Sequence, residues 1–218
     1  MLSESQQEAS FAITSCEEKE GRAHTKEASN GLYELDAATL LENAFKTSPA
    51  KHQFLTAHAH SLETRAVLKV SEQALPNHLT AHTLAGAGRI SVAPYALIDD
   101  ASGSLLAFYH LGTDLSGHTG LVHGGFLAVL LDECMGRACF PLLPEKLAVT
   151  AHIELDYKNP VKANTVIVIR AETERVEGRK AWVKGTVEAV GPNDGQVLVD
   201  CHALFIQPKW VAGMEQLV

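Results

Sequence analysis

Asp132 lands in the middle of an almost wholly apolar run, GLVHGGFLAVLLDECMG, residues 120–136. A charge taken out of water without partners is costly, so such a residue is either tied down or put to use. On a helix advancing about 100° per residue, Gly125, Ala128, Val129, Met135, Gly136 and Cys139 share its side. These neighbours are mostly small and leave a cleft beside the carboxylate. Glu133 has an ordinary reading, an i,i+4 pair with Arg137 at the helix edge worth about 0.2–0.5 kcal/mol. Asp132 has no such partner on its own helix. Just ahead of it, His123-Gly124-Gly125 opens the helix. First-turn N–H groups have no intrahelical acceptor, glycine allows close backbone approach, and the helix dipole favours negative charge there. The pattern suits an anion or a polarised carbonyl. Losing one such oxyanion donor typically costs about 10²–10³ in rate, so this element could matter as much as the carboxylate. His123 either orients the turn or touches substrate.

Three kinds of element have to position these groups. Residues 1–30 are polar and acid-leaning without periodicity, which predicts a disordered N-terminus. Residues 31–88 read as a helical N-terminal extension, with the helical pattern running from about 36 to 85. Asp36 is a candidate N-cap, and Pro49 follows Ser48 at a first helical position. Residues 89–210 are β-rich. ISVAPYALID and SLLAFYHLG flank the turn signal DASG, the apolar run follows as one long helix, and four strands come after it. In the first of these, Val149, Ala151, Ile153, Leu155 and Tyr157 alternate with Thr150, His152, Glu154, Asp156 and Lys158. The expected order is two strands, a helix, then a four-strand antiparallel meander. That is an α+β arrangement, and a helix apolar nearly all round implies a sheet wrapped about it.

The totals exclude several classes. The chain has 218 residues, 46% hydrophobic and 20% charged, enough for a buried core. A net charge of −8 argues against a nucleic acid partner, which wants clustered Lys and Arg. No apolar stretch reaches the ~20 residues of a membrane span. Cys16, Cys134, Cys139 and Cys201 form no CxxC or zinc spacing, and those in the apolar run read as small hydrophobes in a reducing compartment. Neither end carries a recognised address, so the expected location is the cytosol.

His123-Gly124-Gly125-FLAVLL-Asp132, followed by LAVTAHIELDYKNPV, resembles the hotdog-fold acyl-CoA thioesterases. Their PaaI-like and THEM-like branches are the most similar, fungal relatives from secondary-metabolite clusters included. The likeness covers roughly residues 90–208. It implies a hotdog fold, a curved antiparallel sheet around one central helix, in a homodimer or dimer of dimers whose sites form between subunits. Asp132 would be the nucleophile or the general base for water. His123, Gly124 and Gly125 would supply the element that polarises the thioester carbonyl. Thr150 would position the carboxylate or the water, although the spacing before it (PLLPEK) is slightly longer than the family's. Strict alternation sets Thr150 on the polar side of its strand. Lys158, Arg179 and Lys180, beside strand turns, are candidates for the phosphates of CoA. The substrate would be an acyl-CoA or carrier-bound acyl thioester, hydrolysed without cofactor or metal.

Other signals are set aside. His58-x-His60 does not face one way on a helix, and His78-xxx-His82 lacks the glutamate of a zinc-protease pattern, so solvated helix histidines are expected. GAGRIS lacks the third glycine of a dinucleotide loop, and no GxSxG is present. Two rivals share the fold: an enzyme of a biosynthetic pathway acting on a polyketide-like thioester, and a non-catalytic acyl-CoA-binding protein.

Overall fold

The computed structural model describes residues 36–210 and residue 218. The N-terminal stretch 1–30 read as disordered, and Cys16 within it, lie outside the described residues. Two helices come first, α1 (Ala37–Thr47) and α2 (Pro49–Ala57). Asp36 caps α1, accepting from the Thr39 N–H at 2.8 Å, and Ser48 caps α2 with Pro49 in its first turn.

The helical pattern expected to about residue 85 holds only through Ala57. Leu62–Thr64 form a strand, β1, which joins the edge of the sheet by pairing with β2 (Tyr95–Asp99). Two short helical turns, Leu75–Asn77 and Leu79–Thr83, follow. Backbone pairing offered by a neighbouring strand outweighs a helical periodicity that runs only a few turns.

β2 and β3 (Ser104–Leu111) make the expected hairpin, with Gly103 at φ +67° closing the turn. A small ribbon, β4 (Ser116–His118) and β5 (Leu121–Val122), leads into α3 (Gly124–Cys139). Then come β6 (Val149–Tyr157), β7 (Thr165–Glu177), β8 (Lys180–Ala189) and β9 (Val197–Ile206). The sheet is antiparallel with order β1-β2-β3-β7-β8-β9-β6. The four-strand meander is corrected here. Only β7-β8-β9 run as neighbours, while β6 crosses to the far side of β9 and forms an edge.

Period-two alternation divides β3 between two cores. Leu105, Ala107, Tyr109 and Leu111 face α3, whereas Leu106 and Phe108 face α1 and α2, where Leu41, Phe45 and Phe54 cover them. α3 therefore lies on one face of the sheet and the N-terminal helices on the other. Leu127, Leu130, Leu131, Cys134, Met135 and Ala138 are buried along α3, each stabilising the fold by roughly 1–3 kcal/mol according to size. β8 lets the helix approach because residue 185 is glycine. A Cβ there would meet Met135 Sδ at 2.6 Å. No helix among the described residues is long and apolar enough to cross a membrane.

Candidate active site

The Thr150 hydroxyl donates to Asp132 Oδ1 at 2.5 Å, joining the start of β6 to the middle of α3. Strict alternation would prevent this, because Ile153 and Leu155 pack against the core around α3 and Thr150 differs from them in parity. The strand solves the conflict with a β-bulge. The β6–β9 register runs Thr150↔Phe205 and then His152↔Leu204, leaving Ala151 without a partner. The extra residue turns Thr150 inward. The expected strict alternation is thus corrected: the polar side of β6, with His152 and Glu154 exposed, faces away from the helix.

At the other end of β6, the Tyr157 hydroxyl donates to the Gly124 carbonyl at 2.8 Å. His123 is the N-cap of α3, and its Nδ1 accepts from the Gly125 N–H at 2.9 Å. The ring proton of the neutral form therefore sits on Nε2. This cap occupies one of the two expected oxyanion donors. The Gly124 N–H finds no acceptor among the described residues, and it is the donor left for a carbonyl. A Cβ on Gly124 would come to 3.2 Å from the Tyr157 ring, a tight contact that the ring would have to relieve by shifting a few tenths of an ångström.

Gly124 and Asp132 stand eight residues apart on α3. At 1.5 Å per residue that is about 12 Å along the axis, too far for both to touch one carbonyl in a single chain. The structure brings His123, Gly124 and Gly125 together at the helix start, and Asp132 with Thr150 two turns on.

The basic candidates are likewise divided. Lys158 borders a shallow cleft beside Gly124, with its ammonium on Asp156 Oδ2 at 3.0 Å and its side chain 48% exposed. Arg179 donates to the Gln207 carbonyl at 2.7 Å. Lys180 starts β8 opposite Ile206, which in turn pairs with Val149, so both lie at the Asp132 end of the sheet.

Glu133 is not the surface residue its spacing suggests. Arg137 is buried and donates to Asp100 Oδ1 at 2.8 Å in the β2–β3 turn, which draws it away from Glu133. Glu133 turns inward instead, and the Thr80 hydroxyl donates to its Oε2. Burial raises its pKa to about 7, with a further push from Asp132 set against the Thr80 bond. The signal was in the sequence: Glu133 interrupts the same apolar run as Asp132.

Of the four histidines expected to be solvated, His60 and His82 are exposed, whereas His58 and His78 are partly buried and partnered. His58 Nδ1 lies 3.0 Å from Asp99 Oδ2 with the ring against Phe54, and His78 Nδ1 accepts from the Ala81 N–H. Both sit at helix ends, where orphan backbone groups and turn side chains offer partners. Cys134, Cys139 and Cys201 are buried thiols, all with pKa values pushed up by desolvation, as small hydrophobes should be.

A family model described as the thioesterase superfamily matches residues 119–195, the stretch from the turn before α3 through β8. The chain belongs to this superfamily. The antiparallel sheet with its long central helix is the hotdog arrangement expected of such a member. Among relatives, an uncharacterised mitochondrial protein of Candida albicans is 31% identical over 137 residues, covering 62% of this chain and 61% of that one. An uncharacterised protein of Schizosaccharomyces pombe is 30% identical over 121 residues, covering 55% of this chain and 69% of the relative. The acyl-coenzyme A thioesterase THEM4 of Rattus norvegicus is 30% identical over 114 residues, 52% of this chain and 47% of that one. The matched region thus spans about half to two thirds of these relatives.

The cytosolic expectation is overturned by these names, since the Candida relative is a mitochondrial protein. Reduced cysteines and an acidic composition fit more than one compartment and could not have decided it.

Proposed function

We propose that this superfamily member is an acyl-CoA thioesterase working as a homodimer in mitochondria. In this reading Asp132 of one protomer and the Gly124 N–H of its partner act on one thioester carbonyl. The observation that carries it is the pair of contacts made by β6. Its Thr150 end holds Asp132, its Tyr157 end holds Gly124, and the strand is an unpaired edge with Val149 41% and Tyr157 53% exposed. Antiparallel pairing of β6 with a second copy about its midpoint lays each Thr150 end beside the other chain's Tyr157 end. The 12 Å gap within one chain then becomes a short gap between chains.

The chemistry follows from the groups supplied. The Gly124 N–H, at the positive end of α3, stabilises negative charge developing on the carbonyl oxygen. Asp132 either takes a proton from a water that attacks the carbonyl carbon, or attacks that carbon itself to form an acyl-aspartyl anhydride. In both routes the C–S bond breaks and the CoA thiolate leaves and takes up a proton. In the first the acid is released at once; in the second a water then hydrolyses the anhydride, releasing the acid and restoring the carboxylate. Thr150 reserves Oδ1 and so orients the carboxylate, leaving Oδ2 to act. The reaction needs neither metal nor cofactor. Lys158 of one chain, and Arg179 and Lys180 of the other, are brought towards one edge by the same twofold and would meet the phosphates of CoA.

The experiment is a panel of acyl-CoAs with released thiol measured, beside Asp132→Asn and the sedimentation of the purified chain. Hydrolysis abolished in the variant, by a dimer, is expected. Unchanged release in Asp132→Asn, or acyl-CoA binding without any turnover, would overturn the catalytic reading in favour of a binding protein.

A further inference from the structure

The segment from Arg65 to Pro94 lies ahead of the stretch that matches the superfamily, and it builds a cavity of about 420 Å³ against α3 and β3. Val67, Leu68, Ile90 and Ala85 make its walls apolar, with Tyr109 and Glu133 contributed by the sheet and helix. A second, smaller groove of about 340 Å³ holds Asp132 and Thr150. The two spaces share Leu68 and Glu133. They therefore adjoin at these side chains, on the side of the groove that holds Asp132.

Size and polarity say what would fit. The volume accommodates on the order of ten methylene-sized groups, each taking about the space of one water. Apolar walls favour a hydrocarbon chain over a sugar or a peptide. Arg65, His78, Thr80, Ser91 and Glu133 add polar groups to this lining, and of these Glu133 also borders the Asp132 groove. Its Oε2 accepts from the Thr80 hydroxyl, and the residue lines both spaces. Burial leaves this carboxyl protonated in a large share of molecules at neutral pH, able to donate as well as accept. A half-buried carboxyl that can both donate and accept suits a hydroxyl or keto oxygen on a ligand.

Resting on the thioesterase reading above, we propose that this cavity is the acyl pocket and that Glu133 selects medium-length chains carrying a hydroxyl or keto oxygen close to the thioester. Asp132 and Glu133, adjacent on α3, then divide the work: one acts on the carbonyl, the other reads the next carbons. Specificity for the acyl group comes from the 65–94 segment together with one helix residue, and not from the helix start.

The test needs no turnover. On the Asp132→Asn background, the affinities of acetyl-, decanoyl- and 3-hydroxydecanoyl-CoA are measured by calorimetry. The hydroxylated chain is expected to bind about tenfold more tightly than the plain one, as one added hydrogen bond provides. Glu133→Met, of similar length and apolar, is expected to erase that preference. Ala81→Trp, on the exposed rim of the cavity, is expected to fold and to weaken decanoyl-CoA about tenfold relative to acetyl-CoA. Equal binding of the two decanoyl chains, or a preference that survives Glu133→Met, overturns the role of Glu133. An unchanged chain-length profile in Ala81→Trp overturns the cavity assignment. Where Glu133→Met does not fold, the unsubstituted residue and Ala81→Trp still decide the matter. Absent hydrolysis by the wild-type chain fails the thioesterase reading alone, because the affinities stand without it.

Discussion

Thr150 reaches Asp132 only because Ala151 bulges out of the β6–β9 ladder. The 2.5 Å bond between hydroxyl and carboxylate is thus a product of strand irregularity, with one inserted residue changing which face of β6 meets the helix. A hydrogen bond to a charged group contributes about 1.5–3 kcal/mol. Thr150→Val is expected to lower kcat by about 10- to 100-fold with a small change in melting temperature, since residue 150 is exposed at a strand edge. Thr150→Ser should recover most of the rate. Steady-state kinetics beside thermal melts check this, and a Val variant as fast as wild type would remove Thr150 from the site.

The proposed division of labour between chains predicts complementation. Asp132→Asn and Gly124→Ala should each be nearly inactive, the second because a methyl group crowds Tyr157 at the donor. Mixed after dissociation and reassociation, half the dimers are hybrids, each holding one intact site and one doubly damaged. About a quarter of wild-type activity should return. No recovery from a mixture shown to exchange subunits would mean that each chain carries its own site.

His123 caps α3 by accepting from Gly125, and this role can be separated from chemistry. His123→Ala should cost about 1 kcal/mol of stability, and His123→Asn, a good cap, should restore it. If capping is the whole role, activity returns with Asn as well. Chemical denaturation and turnover measured on both variants distinguish the two outcomes.

Glu133 makes stability depend on pH with a defined sign. Its pKa rises from 4.5 unfolded to about 7 folded, so the folded state holds the extra proton between these values. Stability from this group is fully present below about pH 4.5, declines as pH rises to about 7, and is flat above. The total is of order 3 kcal/mol. Glu133→Gln carries no such proton and should flatten this slope, gaining on wild type as pH rises from 5 to 8. Urea unfolding at several pH values measures it, and parallel curves for the two proteins would contradict the burial of Glu133.

Much of this was legible in the chain itself. A helix apolar on nearly every side had to be enclosed, and alternating strands supplied the sheet to enclose it. An Asp within that helix and an HGG at its start marked the two halves of the proposed site, because polar groups in apolar surroundings are costly and glycines at a helix start expose N–H groups. These are local properties of composition and period, readable without knowing what packs on what.

The rest depended on partners distant in sequence. The fates of Glu133 and Arg137 turned on Thr80 and Asp100, residues 53 and 37 positions away, which offered better company than the neighbouring turn of helix. The inward turn of Thr150 came from a bulge registered against β9, and the placement of β6 at the edge came from a crossover past two strands. Helical periodicity in residues 58–85 gave way to sheet pairing and to the wall of a cavity. Sequence determined which residues are fitted to carry chemistry, since burying a charge or baring a backbone donor has its cost wherever it occurs. Only the tertiary structure decided which of them meet, since a contact across the fold is chosen by competition among all the partners the packed chain makes available.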